Sequence, residues 1–157
     1  MTGFNSIQRP ENVKLWASIY FYRPLSQFLS RYLAYLPFGP NFYTYLSGMF
    51  AIVFFIVIIK FPSHFYLGVI ALFFYLLLDF IDGDIARIKK KTSIEGVYLD
   101  LMISFIANFA FFLGLGIVAF NMTNEIVYLY FSILNLFLYL VYKLLVGYHG
   151  RLLLENI

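Results

Sequence analysis

Three aspartates in this 157-residue sequence lie within or beside long apolar segments, where a carboxylate is costly to place. Asp79 and Asp82 are three residues apart, so a helix carries both of them on one face. Asp100 lies at the start of the next apolar segment, one helical turn after Gly96. If the two helices run antiparallel, the three carboxylates meet and must either take up protons or bind a cation. Oxygen ligands in a chain without cysteine predict a hard divalent ion such as Mg²⁺, Mn²⁺ or Ca²⁺.

Glycines and basic residues accompany these acids. Gly83 and Gly96 leave room for a ring or a phosphate to approach the backbone. Arg87 and the lysine run 89–91 add positive charge, which suits an anionic ligand bridged by a metal ion. Each feature alone also has a structural interpretation: Gly83 as a helix C-cap, Gly96 as a packing residue and the lysines as a membrane anchor. The combination is what indicates a binding site.

The composition identifies the environment of these acids. The chain is 62% hydrophobic and 12% charged, which is about half the charge of a soluble domain. This excludes an ordinary cytosolic domain, a disordered segment and a nucleic-acid-binding module, so no nucleic-acid partner is expected. The length allows one domain. We therefore expect residues 1–157 to form a single all-α integral membrane domain.

Four apolar stretches are long enough to cross the hydrocarbon core of a bilayer as helices. Their connections are short, which makes consecutive helices antiparallel neighbours. Residues 11–36 mix aromatic and aliphatic side chains with basic ones, which indicates an amphipathic helix on the membrane surface, interrupted near Pro24. The predicted spans are residues 41–60, 65–84, 95–120 and 125–147.

The basic residues predict the orientation of the chain. All 11 Lys and Arg residues except Lys60 fall on one side of the predicted spans. Such residues concentrate in segments that face the cytoplasm. The interfacial helix, both termini and the 84–95 loop are therefore predicted to be cytoplasmic, and the acid-bearing site with them.

Residues 79–104 read DFIDGDIARIKKKTSIEGVYLDLMIS. This segment resembles the signature of the CDP-alcohol phosphotransferase (CDP-alcohol phosphatidyltransferase) family, D-x2-D-G-x2-A-R-x8-G-x3-D-x3-D, at every fixed position except the last. Residues 40–44, PNFYT, are similar to the Pro-Asn-x-x-Thr sequence with which the family opens its first span. An interfacial helix before that span is also a feature of the family.

The resemblance implies a membrane-embedded transferase of phospholipid or related biosynthesis. Such an enzyme moves a phospho-alcohol or phosphatidyl group from a CDP-linked donor to an acceptor alcohol or lipid, releases CMP and depends on Mg²⁺ or Mn²⁺. By this resemblance Asp79, Asp82 and Asp100 are metal ligands, and Asp100 is also catalytic. The nucleotide-binding positions that it implies are Pro40, Thr44, Gly83, Ala86, Arg87 and Gly96.

The sequence departs from the family in two respects. Ser104 stands where the family has an aspartate that ligates metal and serves as the base for the acceptor hydroxyl, and serine has no useful basicity near neutral pH. The family usually has six spans, whereas four are predicted here. A homodimer or a partner subunit is therefore an expectation that follows from the resemblance.

A polar stripe on the third predicted span offers two interpretations. It is either a hydrated metal site, with Asp84 or Glu95 supplying the missing base, or a packing seam between helices. Its members, at four-residue spacing, are Gly96, Asp100, Ser104 and Asn108.

Three functional hypotheses follow from these observations. The first is an active transferase with a modified metal and base site. The second is a catalytically silent relative that binds nucleotide or metal as a subunit of a membrane complex. The third is a small ion carrier that uses the three aspartates, although it leaves Gly83, Ala86 and Arg87 without a role.

Overall fold

The protein is described here from a computed structural model, which covers the backbone of residues 18–155 and the side chains of residues 20–145. This part of the chain consists of helices joined by short turns and contains no β-strand, so the all-α prediction is confirmed. A π-helical turn, Ser18–Tyr22, precedes the first α-helix, and a 3₁₀ turn, Pro62–His64, precedes the third. The α-helices are α1 (Arg23–Leu33), α2 (Pro40–Lys60), α3 (Phe65–Ile88), α4 (Ile94–Thr123) and α5 (Val127–Glu155).

Four of these helices are long and apolar enough to span a membrane, which confirms the predicted number of spans. They cover Pro40–Lys60, Pro62–Ile88, Ile94–Thr123 and Val127–Leu145. The predicted interfacial helix corresponds to α1, which has 11 residues and strongly separated polar and apolar faces. The chain passes from π-helical to α-helical geometry at Arg23, and Pro24 lies in the first turn of α1, where its missing N–H costs nothing. Residues 11–17 of the predicted interfacial helix lie outside the described part.

The helix α2 is the centre of the bundle, because α3 and α4 both pack against it and only weakly against each other. Small residues allow this close approach. A Cβ atom on Gly48 would lie 2.7 Å from the Ile103 side chain of α4. A gap is therefore left between α3 and α4. We call the end of the bundle formed by the N-terminal turns of α2 and α4 and the C-terminal turns of α3 the motif end.

The short helix α1 lies against α3 and completes the motif end on its outer side. Ser26 and Ser30 are one turn apart and buried, and their small size lets the two helices approach closely. Phe28 and Tyr32 on the opposite face are exposed, as expected of a helix at the membrane surface. Apolar side chains from α1 surround the two serines and join the core of α3: Leu25, Leu29 and Leu33.

The connection between α3 and α4 differs from the sequence prediction. The second span was expected to end at residue 84, but α3 continues to Ile88, so Gly83 lies inside the helix and is not its C-cap. Hydropathy falls where charge begins, whereas backbone hydrogen bonding continues into the polar interface. The chain then turns at Lys90, which has a φ of 52°, and α4 begins after the N-cap residue Ser93, whose Oγ accepts a hydrogen bond from the Gly96 amide at 3.0 Å.

Among the described residues, the last helix, α5, packs mainly against α4. Just 6% of its membrane-spanning window is buried, compared with 28–39% for the other three spans. The closest approach is at Gly116, where a Cβ atom would overlap the side chain of Ser132. The site at the motif end is therefore built by α1 to α4, and α5 supports it through α4.

Candidate active site

An open cleft with about 600 Å³ of empty space lies at the motif end, where α2, α3 and α4 converge. By the family resemblance, ten residues are expected at the site: the metal ligands, the nucleotide-binding positions and Ser104. The cleft contains eight of them, brought together from three helices. Those eight are Pro40, Thr44, Asp82, Gly83, Ala86, Arg87, Gly96 and Asp100. The other two, Asp79 and Ser104, are not part of its lining.

Two helices begin at the cleft. Pro40 is the first residue of α2 and has the fixed φ that favours this position. Ser93 caps α4, and Gly96 follows in its first turn. The N-terminus of a helix carries a partial positive charge, which favours an anion. Because both helix starts face one cleft, their charge suits a phosphate-bearing ligand.

The third wall is the C-terminal part of α3, which supplies Asp82. This residue is only 7% exposed, and its Oδ2 atom has no hydrogen-bond partner. Asp79 and Asp100 both act on Asp82 electrostatically, and the side chain of Thr44 is close enough to interact with it. A buried carboxylate oxygen without a partner is energetically costly unless a ligand or cation satisfies it. Asp82 is therefore the strongest indication of a ligand in the cleft.

The donor chemistry near Asp82 fits a hard divalent cation. The nearby acidic groups, Asp79 and Asp100, are carboxylates like Asp82, and oxygen ligands suit Mg²⁺ and Mn²⁺. Within the described residues, however, no three acidic, histidine or cysteine side chains are close enough together to hold a metal ion as they stand. The fit therefore rests on the uncompensated Oδ2 of Asp82 and on the type of donor, and a shared cation remains a prediction.

Arg87 lines the cleft one turn after Gly83, and its guanidinium is only partly satisfied. It donates from Nη2 to Oδ1 of Asp84, while its Nε is buried without a partner. Asp84 is 5% exposed and also accepts a hydrogen bond from Ser26 Oγ at 2.8 Å. Asp84 does not line the cleft. Its engagement with α1 and Arg87 makes it unsuited to the role of substitute base considered from the sequence.

The polar stripe on α4 behaves as a seam between helices. Asn108 Nδ2 donates to the backbone oxygen of Ser104 at 2.7 Å and to the Tyr139 hydroxyl of α5 at 2.9 Å. The Ser104 side chain interacts with Tyr75 of α3. These contacts favour the packing interpretation over a hydrated metal site. A second cavity, with about 540 Å³ of empty space, opens beside them between Leu72, Tyr75, Leu76, Ala107, Asn108 and Phe111.

Several residues of the site were not identified from the sequence. Asn41 lies at the cleft, and its Oδ1 would be 3.2 Å from a Cβ atom placed on Gly96. Ser93 could have been found from the capping preference of serine before an apolar helical segment. No local signal marks Ser26, because its partner Asp84 is 58 residues away in the chain. The other cleft residues not singled out are Thr92 and Val97, whereas Lys91 ends the lysine run that the sequence had indicated.

The sequence matches a known protein family. A family profile described as CDP-alcohol phosphatidyltransferase matches residues 38–152, which include α2, α3, α4 and most of α5. Searches of curated proteins and of solved structures gave no match. The profile covers more than half of the chain and every residue that lines the cleft. The chain therefore belongs to the CDP-alcohol phosphatidyltransferase family.

Proposed function

We propose that the protein transfers a phospho-alcohol or phosphatidyl group from a CDP-linked donor to an acceptor alcohol or lipid and releases CMP. The observation that carries the proposal is the composition of the cleft. Two helix N-termini, an arginine and a buried carboxylate with an unsatisfied oxygen face one space of about 600 Å³. The positive ends of two helices and an arginine suit a pyrophosphate, whereas an unsatisfied carboxylate suits the cation that accompanies it.

Each part of the donor has a suitable partner in this cleft. The pyrophosphate is bound by Arg87 and by the first turns of α2 and α4. Gly83 and Ala86 leave space for the cytidine. Asp82 and Asp100 of the lining, together with Asp79 one turn before Asp82 on α3, would hold Mg²⁺ or Mn²⁺, which when bound would neutralise the pyrophosphate and stabilise the leaving CMP.

The transfer exchanges one phosphorus–oxygen bond for another. The acceptor hydroxyl oxygen bonds to the β-phosphorus of the donor, and the bond from that phosphorus to the CMP oxygen breaks. The hydroxyl proton passes to a carboxylate oxygen of Asp100, which is the ionisable cleft residue nearest in sequence to Ser104. The remaining contribution of the protein is to orient the two substrates and to provide fixed charges around them.

One observation favours a second candidate function, that of a catalytically silent relative. Ser104 replaces the family's aspartate and interacts with Tyr75. A hydroxyl group cannot act as the base at neutral pH. The silent protein would bind nucleotide and metal as a subunit of a membrane complex, without turnover.

The first experiment measures CMP release by the full chain in lipid nanodiscs, with CDP-linked lipids, a panel of alcohols and Mg²⁺. We expect release that stops with a chelator and returns with Mg²⁺ or Mn²⁺. Asp82→Ala should abolish it. Binding of CDP without turnover on a broad panel would favour the silent relative. Absence of CDP binding in the natural protein would contradict both hypotheses and leave the ion carrier.

The second experiment restores the family residue with Ser104→Asp. If the natural chain is an enzyme that lacks the preferred base, turnover should rise by about tenfold or more, because a positioned base typically contributes about 10²–10⁴-fold. Turnover found only in the variant would identify the natural chain as the silent relative. Ser132→Asp is unsuitable as a control because Ser132 is buried against α4. Ser93→Asp, which retains a helix cap, tests whether any added carboxylate at the motif end has this effect.

The proposal includes a cytoplasmic motif end and a second copy or partner subunit. The chain contains no cysteine, so single replacements report topology cleanly. Lys90→Cys and Lys60→Cys should react with a membrane-impermeant reagent from opposite sides of a sealed vesicle. The mass of the solubilised protein reports whether a second copy is bound.

A further inference from the structure

Arg87 does not reach the cleft as an isolated side chain. One edge of its guanidinium is held by Asp84 through Nη2, while Nε is buried and unpaired. Its side chain is 25% exposed, compared with 7% for that of Asp84. Arg87 thus lies in the wall of the cleft, and Asp84 lies outside the lining, in contact with Arg87.

Asp84 is in turn fixed from the other side by α1. Its second oxygen, Oδ2, accepts the hydrogen bond from Ser26, and Ser26 is only 1% exposed. The leucines of α1 pack against the core of α3 and hold the serine in place. Both carboxylate oxygens of Asp84 are therefore used, Oδ2 by Ser26 and Oδ1 by Arg87, so the carboxylate connects the surface helix to the arginine.

This arrangement separates the two charged groups of α3 that line the cleft, Arg87 and Asp82. Side chains on a helix pair at spacings of three or four residues, so Arg87 is placed to pair with Asp84 and not with Asp82, five residues before it. Arg87 therefore needs no partner inside the cleft. Asp84 is its partner from outside the cleft, and Oδ2 of Asp82 is left unpaired. The pairing also restricts a long side chain that otherwise loses conformational freedom when a ligand binds.

We propose that Asp84, supported by Ser26 of α1, is a positioning residue that holds the Arg87 guanidinium at the cleft for the phosphates of a cytidine diphosphate ligand. This inference rests on the proposed function, because it assumes that Arg87 binds phosphate. It gives α1 a role in ligand binding, although none of the cleft-lining residues belongs to that helix.

The first test measures the Kd of CDP with Mg²⁺ for the full chain in nanodiscs. Asp84→Asn removes the charge that holds the arginine and keeps the size of the side chain. We expect Kd to rise about tenfold, as is typical when the outer partner of a binding group is lost. Glu125→Gln makes the same chemical change at an exposed position in the turn between α4 and α5, and it should leave Kd unchanged.

A matched pair of serines tests the connection to α1. Ser26 and Ser30 are both buried on the same face, but the Ser30 hydroxyl has no hydrogen-bond partner. Ser26→Ala should raise the Kd of CDP by about threefold, which corresponds to one lost hydrogen bond. Ser30→Ala should leave it unchanged. Equal effects of the two substitutions would overturn the role of α1.

A double substitution separates positioning from general loss of structure. Arg87→Gln should weaken CDP binding, and adding Asp84→Asn should cost nothing more, because the aspartate acts through the arginine. If the double variant raises Kd by the product of the two single fold changes, the proposal is contradicted. If circular dichroism shows that Asp84→Asn does not fold, the proposal is tested by the Kd values of Ser26→Ala and Ser30→Ala instead.

The result also distinguishes the inference from the proposed function. If the natural protein binds CDP and Arg87→Gln weakens it while Asp84→Asn and Ser26→Ala do not, only the positioning role fails. If the natural protein does not bind CDP, or Arg87→Gln binds it equally well, the assignment of Arg87 to phosphate fails first.

Discussion

Two carboxylates on α3 are separated by one residue and have opposite surroundings. Asp84 faces α1 and has a hydrogen-bond donor for each oxygen, from Ser26 and from Arg87. Asp82 faces the cleft and has an oxygen with no donor, although it is also buried. The first arrangement is complete without a ligand and the second is not. Burial of a charged residue is therefore uninformative about function until its hydrogen bonds are counted.

This comparison predicts that the two acids respond differently to neutralisation. The largest effect is expected for Asp82→Asn, which should weaken binding of CDP with Mg²⁺ by about 100-fold or more, because it removes a proposed ligand of the cation and loss of an outer partner alone typically costs about 10–100-fold. The folded state should be no less stable, because a buried charge with an unsatisfied oxygen is removed. Isothermal titration and thermal unfolding in detergent measure the two quantities. A variant that binds normally but unfolds readily would reverse the assigned roles.

Asp84→Ala should show the complementary behaviour. It leaves the Arg87 guanidinium and the Ser26 hydroxyl without their partner, so we expect a loss of about 2 kcal/mol in the free energy of unfolding. The loss is expected to be smaller than for a fully buried ion pair, because Arg87 is partly exposed to solvent. Denaturant titration followed by circular dichroism provides the measurement. Unfolding unchanged from the natural protein would mean that the face of α3 toward α1 is not held by this contact.

The smallest effect is expected at the mouth of the cleft. A Cβ atom on Gly96 would lie 3.2 Å from both Asn41 Oδ1 and Ser93 Oγ, which requires a shift of a few tenths of an ångström. Gly96→Ala should raise the Kd of CDP by about threefold, equivalent to about 0.6 kcal/mol. Gly39→Ala is the matched control, because a Cβ atom there meets nothing within 4 Å. Similar Kd values for both variants would indicate that Gly96 does not shape the ligand space.

The sequence predicts the spanning helices well and the contacts between them poorly. Hydropathy identifies α2 to α5 because the bilayer imposes a length and a composition on each helix separately. Hydropathy places the end of α3 at residue 84, which is too early. The charged residues there mark the membrane interface, but helical hydrogen bonding continues to Ile88. The three-residue spacing of Asp79 and Asp82 predicts a shared helix face, but only Asp82 of the two lines the cleft. The Ser26–Asp84 contact was not predictable, because it depends on how α1 packs on α3.

The polar stripe on α4 illustrates the same limit. Its four-residue spacing placed Ser104 and Asn108 on one face, but spacing does not reveal which neighbour that face meets. The structure provides Tyr139 of α5 as the partner of Asn108. A residue pattern within one helix thus specifies a surface, and the neighbouring helix determines its use.

The packing of α1 on α3 has a consequence for how the chain is assembled. Synthesis proceeds from the N-terminus, so α1 emerges before the helix whose core it joins. Its buried serines and leucines have no complete surface to cover until the hairpin of α2 and α3 has entered the bilayer. Helix α1 is therefore expected to pack into the bundle only after α2 and α3 have done so, and to lie at the lipid headgroups until then.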